Sequence, residues 1–143
     1  MIALASDHAG FNFKEKTKNL LDSLGEKYLD FGTNSTDSID YPDFGHAASE
    51  SVSNGKCEKG ILICGTGIGM SMVANRHENV RAAVCQTVDA VVATREHNNA
   101  NILCFGQRLV TWDVAEEMIK KFLSTNFAGG RHELRINKIP FKK

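Results

Sequence analysis

Apolar residues along this chain follow two rhythms that alternate. Residues 2–6, 60–64 and 102–105 are short runs with little polar interruption, the pattern of strands buried on both faces. Residues 27–31 and 80–85 read as two further strands. Between these runs, apolar positions recur every three or four residues. Phe13, Thr17, Leu20, Leu21 and Leu24 share one helical face, and Gly25 stops that helix. Phe44, Ala47, Ala48 and Val52 trace a second helix that ends near Asn54 and Gly55. A third runs from the glycine-rich turn after Cys64 toward Arg76. A fourth carries Val88, Val91 and Val92 and ends near His97, Asn98 and Asn99. Val114, Ala115, Met118, Ile119 and Phe122 define a last long helix, and Gly129-Gly130 then opens a basic tail. The polar connection 32–43 is long for this architecture, which makes it a functional candidate.

Five βα units in one chain predict an α/β fold: a three-layer α/β/α, Rossmann-like domain around a five-stranded parallel sheet. No repeat, low-complexity run or linker divides the 143 residues, so residues 1–143 are expected to form one domain. A chain of this length buries roughly two-thirds of its unfolded surface, enough for a core without staples. In such folds ligands bind beyond the carboxyl ends of the strands. The residues that follow each strand are therefore the ones to read.

Composition narrows the class of function. Hydrophobic residues make up 42% and charged residues 24%, as in an ordinary globular protein. Lys plus Arg and Asp plus Glu are both 17, and a balanced charge argues against a nucleic-acid partner. It leaves room for one concentrated anion site. No run of ~18 apolar residues occurs, so no membrane partner is expected. The N-terminal stretch lacks a basic region and soon reaches Asp7, so a signal peptide is not expected and a cytoplasmic location is the default. Cys57, Cys64, Cys85 and Cys104 show no Cys-x-x-Cys spacing, so no metal site is expected. Cysteines in or beside apolar runs are ordinarily small buried hydrophobes; Cys64 is the exception.

Cys64 stands at a strand end, directly before Gly65-Thr66-Gly67-Ile68-Gly69. Glycines let backbone N–H groups converge on a ligand, and a helix start behind them favours an anion. A dinucleotide site would need Gly-x-Gly-x-x-Gly and an acidic residue after the next strand. Here the spacing is Gly-x-Gly-x-Gly, and Cys85-Gln86 stands where the acid would be. A purely structural turn remains open. The chemical alternative is a thiolate favoured by the helix start, beside amides that hold an oxyanion. Such a pair can take a proton from the carbon next to a carbonyl, with Thr66 adding a hydroxyl. Asp7 and His8 follow the first strand, and Arg108 follows the fifth. His97 is expected to join Asp7 and His8 on the ligand edge. His46 and His77 read as ordinary surface histidines. Arg131 and Arg135 are four apart, so on a helix they share a face suited to phosphate; a solvated basic end is the plain alternative.

These residues together resemble a known family. Ser6-Asp7-His8-Ala9-Gly10, Asp40-Tyr41-Pro42, the run from Cys64 to Ser71, His97-Asn98-Asn99-Ala100-Asn101, and Gly129-Gly130-Arg131-His132-x-x-Arg135 are similar to the ribose-5-phosphate isomerase B proteins of the RpiB/LacAB sugar-phosphate isomerases. The resemblance runs nearly the whole chain. It implies interconversion of ribose 5-phosphate and ribulose 5-phosphate without cofactor or metal. Cys64 would be the base, with Thr66 and the amides of Gly65, Gly67, Ile68 and Gly69 on the enediolate. His97, assisted by Asp7, would open the sugar ring. Tyr41 and Asn98 would contact the sugar or neighbouring groups. His8, Arg108, Arg131 and Arg135 would bind phosphate. The family also implies a homodimer or homotetramer with shared sites, so the tail 129–143 is expected to pack on a neighbouring subunit. Some relatives carry a Glu base where this chain has Met70; the cysteine here favours the Cys-base branch. Allose 6-phosphate, galactose 6-phosphate and non-catalytic phosphosugar binding remain the alternatives.

Overall fold

Side-chain alternation in the central strands decides which residues meet each helical layer. A computed structural model describes residues 1–141. Its strands are β1 (Ile2–Ser6), β2 (Tyr28–Asp30), β3 (Lys59–Cys64), β4 (Ala82–Val84) and β5 (Ile102–Gly106). Its helices are α1 (Phe11–Ser23), α2 (Tyr41–Ser53), α3 (Ile68–Ala74), α4 (Val88–Asn98), α5 (Trp112–Ser124) and α6 (Arg131–Ile136). Ile2 and Leu4, Ile61 and Ile63, and Leu103 and Phe105 face one layer, where Leu21, Val91, Met118, Ile119 and Phe122 of α1, α4 and α5 cover them. Ala3, Ala5, Leu62, Cys64, Ile102 and Cys104 face the other, under Ala48 and Val52 of α2 and Met70 and Ala74 of α3. Burying a Leu, Ile or Phe side chain contributes ~1.5–3 kcal/mol, so these two layers dominate the stability.

All strand pairs are parallel, in the order β2-β1-β3-β5-β4. This is the expected α/β/α Rossmann-like sheet. The edge strands are shorter than the sequence pattern suggests, because each has one neighbour and only partly buried faces. Beyond β4, Asn75 at the end of α3 substitutes for a strand neighbour. Its amide donates to the Ala82 carbonyl at 2.9 Å, and its carbonyl accepts from the Ala82 N–H at 2.8 Å.

The connection after β2 is also shorter than expected. Pro42 sits in the first turn of α2, where its missing N–H costs nothing, and the helix starts at Tyr41. In the basic tail, residues 131–136 form α6. Lys142 and Lys143, the end of the expected subunit-packing tail, lie outside the described residues.

Candidate active site

β1 and β3 are sheet neighbours, yet the helices that follow them leave on opposite faces, α1 on one and α3 on the other. A crevice opens at such a switch point, beyond the strand ends. Asp7 follows β1 and Cys64 ends β3, so both border it. The Asp7 N–H donates to the Ile63 carbonyl at 3.2 Å, which ties the two strand exits together. The Asp7 carboxylate accepts from the Gly10 N–H at 3.0 Å and caps the short 3₁₀ turn His8–Gly10.

The turn after β3 wraps around the thiol. The Gly67 N–H donates to Cys64 Sγ at 3.0 Å, a contact that stabilises negative charge on sulfur. Gly67 has φ 80°, the left-handed region that admits glycine readily. Thr66 Oγ1 accepts from the Ile68 N–H at 3.2 Å, so its own proton is free to donate outward. The Gln107 and Arg108 N–H groups donate to the Cys64 and Gly65 carbonyls at 2.9 and 3.1 Å, locking the turn to the end of β5. Arg108 Nη1 lies 3.0 Å from where a Cβ on Gly65 would stand, so the guanidinium reaches across the turn. On the other flank the Tyr41 ring lies 2.6 Å from a Cβ placed on Gly69. His8 Nδ1 accepts from the Ile39 N–H at 3.2 Å; in the neutral ring the proton then sits on Nε2. Asp7, His8, Tyr41, Cys64 to Gly69 and Arg108 are therefore neighbours.

Cys85 and Cys104 fit the plain reading of a cysteine beside an apolar run. Burial pushes the Cys85 thiol up to about 11. Cys104 is pushed well above the usual thiol range by burial, then by Cys64 and Cys85.

His97 and Asn98 do not join that cluster within one chain, contrary to the sequence expectation. They end α4, whose exit leads into the start of β5, while Cys64 pairs with Gly106 at the end of β5. The four steps from Ile102 to Gly106 separate the two edges by roughly 13 Å. At the far edge His97 meets the tail instead. Its ring stacks on His132 with centroids 4.5 Å apart and planes 20° apart. His97, Asn98, His132, Arg135, Ile136 and Ile139 line an open cleft of about 340 Å³. His132 is held below the usual histidine range by desolvation, then by His97, Arg131 and Arg135. Arg131 and Arg135 both lie on α6, four apart as expected, and both are exposed.

Sequence reasoning missed the polar supports of the site. Lys14 is fully buried; its Nζ lies 2.6 Å from Asp30 Oδ2 and 3.4 Å from Glu15 Oε2. Burial alone would raise the Asp30 pKa, but Lys14, the Gly32 N–H and Lys18 outweigh it and hold the carboxyl below its ordinary range. Asp30 thereby fixes Gly32, whose carbonyl accepts from the Ser6 N–H at 2.8 Å, one residue before Asp7. A signal did exist, since Lys14 falls three residues before Thr17 on the apolar stripe of α1. His46 and His77 are not isolated either: His46 Nδ1 and His77 Nε2 are 2.7 Å apart. Among the described residues, no group of three or more His, Cys, Asp or Glu could hold a metal ion. No described helix is long and apolar enough to cross a membrane.

Residues 2–139 match the family described as Ribose/Galactose Isomerase. The chain belongs to this family. Ribose-5-phosphate isomerase B of Escherichia coli is 37% identical over 138 residues, covering 96% of this chain and 93% of that protein. A ribose 5-phosphate isomerase structure from Thermotoga maritima superposes with a TM-score of 0.94 at 49% identity, covering 96% of this chain and 95% of that one. Ribose-5-phosphate isomerase B from Mycoplasma genitalium, solved with bound ribulose-5-phosphate, gives a TM-score of 0.93 at 39% identity, covering 96% and 92%.

Proposed function

We propose that this chain is an aldose–ketose isomerase that interconverts D-ribose 5-phosphate and D-ribulose 5-phosphate through an enediolate. The observation that carries the reading is the Cys64 thiol at the switch point, with the Gly67 N–H donated to its sulfur. As thiolate, Cys64 takes the C2 proton of the open-chain aldose. The electron pair moves into the C1–C2 bond and charge develops on O1. The Gly65 and Gly69 amides and the Thr66 hydroxyl hold that oxygen, while the Gly67 N–H stays on the sulfur and the Ile68 N–H on Thr66 Oγ1. Cys64 then returns the proton to C1, O2 loses its proton and O1 gains one, giving the ketose. Electrons move within a single substrate, so the step needs no cofactor.

The remaining roles divide between the two edges. His8 Nε2–H and the Arg108 guanidinium offer donors for phosphate beside the turn. Tyr41 flanks the sugar. His97, with Asp7 as its assistant, opens the furanose ring, Asn98 contacts the sugar, and Arg131 and Arg135 clamp the phosphate. Since the His97 edge lies roughly 13 Å of strand away from Cys64, it serves the site of a second copy in a homodimer or homotetramer. Exposed apolar side chains on both sides support this pairing: Ile68 and Met72 beside the turn, Leu134, Ile139 and Phe141 on the tail. Lys142 and Lys143 of that tail are outside the described residues. Charged sugar phosphates do not cross membranes unaided, so a cytoplasmic location goes with the proposal.

A coupled assay with purified protein tests it. Turnover of ribose 5-phosphate should exceed that of allose 6-phosphate and galactose 6-phosphate in kcat/KM. In D2O the ribulose 5-phosphate formed should carry deuterium at C1, because the proton passes through an exchangeable thiol. No turnover of any of the three sugars would refute the reading and favour a non-catalytic phosphosugar-binding module.

A further inference from the structure

Arg95 is only 6% exposed, and among the described residues no carboxylate lies within ion-pairing distance of it. A buried charge without a counter-ion is costly, and it persists where its hydrogen bonds do something the fold needs. Its Nε donates to the Thr125 carbonyl at 2.9 Å. One Nη1 donates to Asn99 Oδ1 at 2.9 Å and to the Ala100 carbonyl at 2.8 Å. Its guanidinium also lies 6.0 Å from the centre of the Phe122 ring. Burial, then Arg81, lowers its pKa, consistent with a tightly enclosed cation.

The three acceptors belong to the exits of the two helices that carry the far edge. Asn99 closes α4 in the left-handed conformation, φ 47°, directly after His97 and Asn98. Arg81 grips the same residue from the other side, its Nε donating to the Asn99 carbonyl at 2.9 Å. Thr125 closes α5 and begins the segment that leads to α6. That segment is tied to α4 once more where the Ala128 N–H donates to the Glu96 carbonyl at 3.1 Å. Arg95 thus joins the chain bearing His97 and Asn98 to the chain bearing Arg131 and Arg135.

We propose that Arg95 is a positioning residue: it holds the His97–Asn98 turn and the arginine-bearing tail in one geometry, so that both enter the neighbouring copy's site together. The proposal rests on the reading above that these residues serve a shared isomerase site. Lysine cannot replace it, because one ammonium on a flexible stem lacks the planar fork that meets acceptors in different directions.

The test is subunit complementation. Arg95→Met should lower kcat/KM for ribose 5-phosphate by about tenfold or more, the scale of a lost charged hydrogen-bond set, with KM raised and kcat lowered together. Arg95→Lys should recover little. Asn99→Gly keeps the left-handed turn but removes one acceptor, and should show a smaller loss of the same kind. Arg95→Met refolded with Cys64→Ala should regain about a quarter of the wild-type rate, because half the dimers are mixed and each holds one intact site. That recovery also shows the Arg95→Met chain is folded around its own Cys64. Wild-type kinetics in Arg95→Met would overturn the proposal. So would complementation when His97→Ala replaces Arg95→Met but none with Arg95→Met itself, since that isolates a folding defect. If neither pair complements, the shared-site reading fails instead, and the Arg95 assignment falls with it.

Discussion

At the residue scale, Cys64 differs from the other cysteines by what its sulfur receives. It accepts a backbone N–H, whereas burial holds the Cys85 and Cys104 thiols up. Iodoacetamide should therefore inactivate the enzyme by labelling Cys64 first, and ribose 5-phosphate should protect it; peptide mapping by mass spectrometry checks both. Asp30 offers a stability test with a definite sign. Its folded pKa is lowered, so its contribution is present above the ordinary Asp value of ~3.9 and is lost as pH falls through the folded value. Asp30→Asn leaves the buried Lys14 ammonium only the more distant, half-exposed Glu15 carboxylate at 3.4 Å and should cost up to about 3 kcal/mol in urea unfolding at neutral pH. The gap to wild type should close as acid protonates Asp30 in the native protein. Asp7, His8 and Cys64 were legible in sequence because strand ends are where such folds bind ligands. Arg95 was not, because two of its three acceptors are backbone carbonyls that any residue offers. Only the folded chain brings Thr125 to it.

At the scale of elements, the sequence pattern located every strand and α1 to α5, with α3 placed by the glycine-rich turn before it, and the buried centres of β1, β3 and β5 left little ambiguity. Boundaries were less legible at the sheet edges. β4 needs Asn75 from a helix end as its outer partner, a contact that local pattern does not encode. The glycine-rich turn is an element held by close approach. A Cβ on Gly67 would stand 2.7 Å from the Phe105 backbone, and the residue has φ 80°. Gly25 has a similar φ of 72° but nothing within 4 Å. Gly25→Ala should thus cost only the left-handed penalty of ~1–2 kcal/mol. Gly67→Ala should cost more and also depress kcat, because the amide on Cys64 shifts. Thermal melts beside steady-state kinetics for the two variants separate backbone strain from crowding.

At the scale of the molecule, the candidate site residues lie at two opposite edges of one sheet. The sequence reading placed His97 with Asp7 and His8 on the predicted ligand edge, but a helix in a βα unit returns the chain to the opposite edge of the sheet. The end of α4 therefore cannot meet the end of β3 in the same copy. The family resemblance implies shared sites, and this topology supports the proposal that the His97 edge serves a second copy. Arg135→Ala should raise KM for ribose 5-phosphate about tenfold or more, the loss expected for a charged contact to phosphate, while kcat changes less. Analytical ultracentrifugation should find a dimer or larger species at assay concentrations. Whether the turn after β3 carries the base is decided by the kcat of Cys64→Ala. A loss of at least ~100-fold with a modest change in KM is expected; turnover of ribose 5-phosphate at the wild-type rate would show that Cys64 is not the base.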